Sequence, residues 1–122
     1  MNRPKICLLF AGGTIGMVRS PHTGVLQPVG NSAEIIQHFP EIQKHVQLDF
    51  KMVVNIDSSN MTPQIWTQLA KTIHQLYDKY DGFVVAQGTD TMAYTASAIS
   101  YALQNLSKPI VFTGSLIPLN ET

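Results

Sequence analysis

Apolar residues in this chain alternate between two rhythms. Compact apolar-rich runs fall at 5–10, 48–56, 82–86 and 109–113, and the first ends at Gly12 and Gly13. Runs of this length, bounded by turn residues, are expected of strands buried on both faces of a parallel sheet. Between them the spacing changes to three or four. Ile65, Leu69, Ile73, Leu76 and Tyr80 fall on one helical face, behind Thr62 as N-cap and Pro63 at the first helical position, with Gly82 beyond the end. A shorter helix is expected over 32–39, opened by Asn31 with Glu34 three residues later and closed by Pro40. A third is expected over 91–106, where Ala93, Ala96, Ser97, Ala98, Ser100 and Ala102 let it lie close to the sheet. The stretch 19–30, with Pro21, Gly24, Pro28 and Gly30, reads as an irregular loop or a β-hairpin next to the first strand end, placed to cover a site.

Strand and helix thus alternate along the chain, which predicts an α/β fold: a Rossmann-like, three-layer α/β/α arrangement with a mainly parallel sheet. The ligand site of such a sheet lies beyond the carboxyl ends of its strands. A length of 122 residues, 44% of them hydrophobic, is that of one domain, 1–122, with a real core. Eight basic and eight acidic side chains cancel, so neither nucleic acid nor a membrane surface is expected as a partner, and a small molecule is. The apolar run before Gly12 is too short to span a bilayer and lacks the layout of a secretory signal, so the expected compartment is the cytoplasm. The single cysteine, Cys7, lies inside that run and reads as a packed core thiol. His22, His38, His45 and His74 show no metal-ligand spacing, and no metal is expected.

Three polar clusters follow successive strand ends: Ala11-Gly12-Gly13-Thr14-Ile15-Gly16, Asp57-Ser58-Ser59-Asn60-Met61 and Gln87-Gly88-Thr89-Asp90-Thr91. In a parallel sheet all three converge on one edge. Adjacent glycines permit a sharp turn and close approach of a ligand, and Thr14 then presents a hydroxyl near N–H donors. The cluster matches neither the spaced dinucleotide fingerprint nor the phosphate loop ending in Gly-Lys-Ser/Thr. Each cluster also has a purely structural reading. The first is a strand-to-loop turn; Ser58, Ser59 and Asn60 cap or turn the chain; Asp90 or Thr91 serves as the N-cap of the next helix. The functional alternative has Asp90 hold the ammonium group of an amino acid while Thr89 activates or polarises a reacting water.

Two further stretches carry a resemblance. The run Gly88-Thr89-Asp90-Thr91-Met92-Ala93-Tyr94-Thr95-Ala96-Ser97-Ala98 and the later Pro109-Ile110-Val111-Phe112-Thr113-Gly114-Ser115 resemble the bacterial-type L-asparaginases of the cytosolic type I branch. Gly12-Gly13-Thr14-Ile15-Gly16-Met17 and Asp57-Ser58-Ser59-Asn60-Met61-Thr62 agree with that branch, and the likeness covers essentially the whole chain. It implies hydrolysis of L-asparagine to L-aspartate and ammonia without a cofactor. The threonine matching Thr14 is then the nucleophile, activated by a neighbouring base and by oxyanion donors. Catalytic roles are implied for Thr14, Thr89 and Asp90. Substrate contacts are implied for Asp57, Ser58, Ser59, Gly88 and Ser115, with Thr89 and Asp90 also touching the substrate. The family further implies a homo-oligomer, because a neighbouring protomer completes each site.

The chain departs from the pattern at Ala11, where the family has threonine, at Gln87, where it has histidine, and at Leu116, where it has glutamine. Val25 stands where many members carry a tyrosine that assists the nucleophile. The first two substitutions touch the surroundings that orient Thr14 and Thr89. The family also continues past Thr122 into the rest of this domain and a smaller second one, which supply a catalytic lysine that Lys108 does not match. The expectation is therefore an incomplete N-terminal asparaginase domain. Its alternative to catalysis is an inactive remnant that binds a small amino acid or a partner chain.

Overall fold

The structure is a computed structural model and describes residues 3–12, 17–28, 37, 40–53 and 61–114. Its frame is a sheet of four parallel strands. β1 is Lys5–Phe10, a hairpin follows with β2 at Met17–Arg19 and β3 at Leu26–Pro28, and then come β4 at Gln47–Met52, β5 at Gly82–Ala86 and β6 at Ile110–Thr113. The helices are α1, Pro63–Leu76, and α2, Met92–Ala102. Spatial order in the sheet is β4-β1-β5-β6, with β2 and β3 pairing antiparallel by themselves. Register runs Phe10 to Met52, Phe10 to Ala86 and Ala86 to Thr113, so the four carboxyl ends are level.

This order fixes which face each connection covers. Parallel crossovers are right-handed, and β4-α1-β5 and β5-α2-β6 both progress in one direction across the sheet, so α1 and α2 share a face. Cys7, Leu9, Phe83 and Val85 meet Leu69, Ile73 of α1 and Ile99 of α2 there, all buried. The step from β1 to β4 runs the other way, and its connection covers the opposite face. Val18 of the hairpin packs on Leu8, Leu48 and Phe50. A 3-10 turn, Pro40–Lys44, brings Ile42 beside Ile6, Leu8, Leu48 and Val84 around an apolar cavity of about 340 Å³. The parallel α/β fold expected from the sequence is the one observed.

The elements differ from expectation mainly at their ends. Thr62 does cap α1, its Oγ1 accepting from Ile65 N, and Pro63 opens the helix. α1 stops at Leu76, however, and a 3-10 turn, Tyr77–Lys79, takes Tyr80 off the helical face, so that its hydroxyl donates to Asp49 Oδ2 at 2.7 Å. α2 ends at Ala102 rather than near 106. Asn105 adopts φ 58°, and the Ser107 and Lys108 N–H groups donate to the Tyr77 hydroxyl at 2.7 and 3.1 Å, pulling the chain out of the helix. The strand expected at 48–56 pairs over Gln47–Met52, with 54–56 outside the described residues, and of the stretch 19–30 the described part, 19–28, takes the hairpin form. The helix expected over 32–39 lies outside the described residues apart from Gln37, which is helical.

Candidate functional site

The direction of the sheet order reverses between β1 and β5: the chain leaves β1 for one neighbour, β4, and returns on the other side as β5. At such a reversal the connections diverge to opposite faces and leave a crevice beyond the strand ends, which is where open α/β sheets bind ligands. The residues flanking it here are Ala11 and Gly12 after β1 and Gln87 to Asp90 after β5.

The backbone pairing continues one step past each strand. Ala11 N donates to Ala86 O at 2.8 Å, Val53 N to Phe10 O at 2.8 Å and Gln87 N to Thr113 O at 3.1 Å. Gly12 then takes φ +94°, a conformation that a side chain disfavours, directly beyond the end of the pairing. After β5, Gly88 is extended at φ −62° and ψ 148°, and Thr89–Thr91 form a 3-10 turn that runs straight into α2. Thr89 and Asp90 are exposed at this rim. Thr91 occupies the N-cap position of α2, the place the structural reading of this cluster gives it, without a side-chain capping bond.

What anchors the rim is a buried strut behind it. Thr95, fully buried, accepts a hydrogen bond from Trp66 Nε1 at 2.9 Å and donates one to Thr91 O at 3.2 Å. That ties the first turn of α2 to α1 and holds the segment that carries Thr89 and Asp90. Gln87 is also fully buried, its Nε2 donating to Gly88 O at 3.3 Å, while among the described residues its Oε1 has no donor. Thus Gln87 points inward rather than into solvent. Gly114, directly after β6, packs against this turn at a distance no side chain would tolerate. Its constraint was not read from sequence, although a glycine immediately after an apolar run was the available signal.

Of the residues singled out by sequence, Gly88, Thr89 and Asp90 are placed together on one side of the crevice. Thr14, Asp57, Ser58, Ser59 and Ser115 lie outside the described residues, but the segments leading to them, through Gly12, Val53 and Gly114, all leave from this same edge. Val25 sits in the hairpin turn, 63% exposed, with its carbonyl accepting from Ser20 N. Among the described residues no three His, Cys, Asp or Glu side chains are grouped as metal ligands, and no helix is long and apolar enough to cross a membrane.

Residues 5–122 match the family model "Asparaginase, N-terminal". The chain belongs to the asparaginase family. It is 45% identical over 124 residues to L-asparaginase 1 of Escherichia coli K12, a match that covers 99% of this chain and 36% of that protein. A component of the glutamyl-tRNA(Gln) amidotransferase of Saccharolobus solfataricus is 39% identical over 114 residues, covering 93% and 26%. Among solved structures, L-asparaginase I of Vibrio cholerae superposes with a TM-score of 0.82 at 42% identity, over 96% of this chain and 35% of that one. This asparaginase-family chain therefore spans between about a quarter and a third of the length of these relatives.

Proposed function

We propose that this chain supplies the threonine-bearing part of an L-asparagine amidohydrolase site. The observation that carries the reading is the level edge of the parallel sheet, with Gly12 and the Gly88-Thr89-Asp90 turn on either side of the reversal in strand order. In this reading the Thr14 hydroxyl attacks the side-chain amide carbon of asparagine while a base takes its proton. The tetrahedral oxyanion is stabilised by N–H donors near Ser115 and collapses as the leaving nitrogen gains a proton and departs as ammonia. Water, polarised by Thr89, then attacks the ester and releases aspartate, returning the proton to Thr14. Asp90 binds the substrate ammonium, and Asp57, Ser58, Ser59 and Gly88 hold the rest of the amino acid. The reaction needs no cofactor, and the cytoplasm and a homo-oligomer are proposed with it on the family likeness.

The decisive measurement is ammonia release from L-asparagine by the purified protein and by Thr14→Ala. Turnover in the native protein that falls at least about a hundredfold in the variant is the expected result. The second reading is a chain that binds amino acid without turning it over. No ammonia from either protein, together with L-aspartate binding by calorimetry, would establish that reading instead.

A further inference from the structure

The end of β6 and the turn after β5 are closer than two side-chain-bearing segments allow. A Cβ on Gly114 would stand 2.7 Å from the carbonyl oxygen of Gln87 and 3.0 Å from the Cγ2 methyl of Thr89. The first contact is with backbone that is pinned where it is, since the N–H of the same Gln87 donates to Thr113 O at 3.1 Å. The second is with a branched side chain. The Thr89 methyl therefore occupies the space that any residue other than glycine would take at position 114.

On a threonine Cβ the methyl and hydroxyl have a fixed handedness, so a methyl committed to one staggered position commits the hydroxyl to another. The backbone beneath is held too: buried Gln87 donates from Nε2 to Gly88 O, the carbonyl of the peptide that enters Thr89. We propose that Gly114 is a positioning residue, whose bare Cα grips the Thr89 methyl and so sets the direction of the Thr89 hydroxyl at the rim. Serine at position 89 would keep the hydroxyl and lose the handle. The same geometry thus accounts for threonine rather than serine at that position. The consequence for catalysis rests on the amidohydrolase reading, whereas the grip itself does not.

The two parts separate in one set of measurements. In isotopically labelled native protein, three-bond couplings from Thr89 Cγ2 to its backbone N and C′ should report a single rotamer, with a nuclear Overhauser contact between the Thr89 methyl and the Gly114 Hα protons. Averaged couplings or a missing contact overturn the proposal without any variant being made. In Gly114→Ala the couplings should move toward averaged values. In native protein that releases ammonia, Thr89→Ser and Gly114→Ala should each lower kcat roughly tenfold or more while KM changes far less, the signature of a misdirected group. Thr89→Ser retaining full kcat overturns the positioning role, and it does so even where Gly114→Ala does not fold. Native protein with the single rotamer but no ammonia release leaves the grip intact and removes the amidohydrolase reading.

Discussion

Cys7 shows how a buried residue couples folding to pH. Burial beside the Asp49 carboxylate pushes its thiol up from 9.0 to about 11, with Lys51 and a hydrogen bond to Tyr80 opposing the rise. The Tyr80 hydroxyl is raised as well, by its own burial first and then by its hydrogen bond to Asp49. A group whose folded value exceeds its unfolded one binds its proton more tightly when folded. Its contribution is complete below the unfolded value and is lost as pH climbs through the folded one. Urea midpoints should therefore be flat below pH 9.0 and fall toward pH 11. Cys7→Ala should flatten the lower part of that fall and leave the part due to Tyr80. Gln87 invites the complementary experiment. Its Oε1 lacks a donor among the described residues, and the bond from its Nε2 to Gly88 O is long at 3.3 Å. Gln87→Met should therefore unfold within about 1 kcal/mol of the native protein, since a buried acceptor that gains nothing is replaced at little cost. A larger loss in urea denaturation would mean that the carbonyl finds a donor in solution.

Helix ends separate what local sequence determines from what tertiary contact determines. The start of α1 was legible because every cause lies within four residues: Thr62 accepts from Ile65 N, and Pro63 has no N–H to lose. The end of α2 was not, because uncharged residues with no Gly or Pro continue from Ala102 to Ser107 and what stops the helix is the Tyr77 hydroxyl, 30 residues earlier, accepting the Ser107 N–H. Lys108 adds to the clasp, its Nζ donating to Tyr77 O at 2.5 Å and lying 4.8 Å from the ring centre. Tyr77→Phe removes the acceptor and keeps the ring, and should lower the urea midpoint. Hydrogen exchange should rise at the Ser107 and Lys108 amides while Thr95 at the far end of α2 keeps its protection. Unchanged exchange at 107 and 108 would show that the clasp does not terminate the helix. The site divides in the same way. Thr89 and Asp90 were visible as polar residues after a strand. The grip of Gly114 depends on β6 lying beside β5, and nothing local to either segment specifies that neighbour.

At the scale of the whole molecule, the sheet is unevenly clothed. Among the described residues β6 is an edge strand, and its Val111, which pairs with Val84, is 53% exposed on the face that carries the apolar cavity lined by Ile6, Leu8 and Leu48. An open strand edge beside exposed aliphatic surface is a template for association. Val111→Lys should lower the average mass seen by light scattering at high concentration, with unfolding by urea little changed. Equal association in both proteins would place the contact elsewhere.

The central position of β1 has a consequence for how the chain is made. β1, the first of the described strands, needs a partner on each side, and its second partner, β5, follows only after β4 and α1: Lys5 N donates to Asp81 Oδ2 across 76 positions. Until residue 86 has emerged, β1 has at most β4 beside it, with an open edge and an unfilled face. Closing so long a loop is slow, and an unpaired early strand is exposed to unwanted contacts meanwhile. Nascent chains halted before β5 should be digested rapidly by protease, and those halted after it should not, so that synthesis passes through a vulnerable intermediate until β5 has emerged.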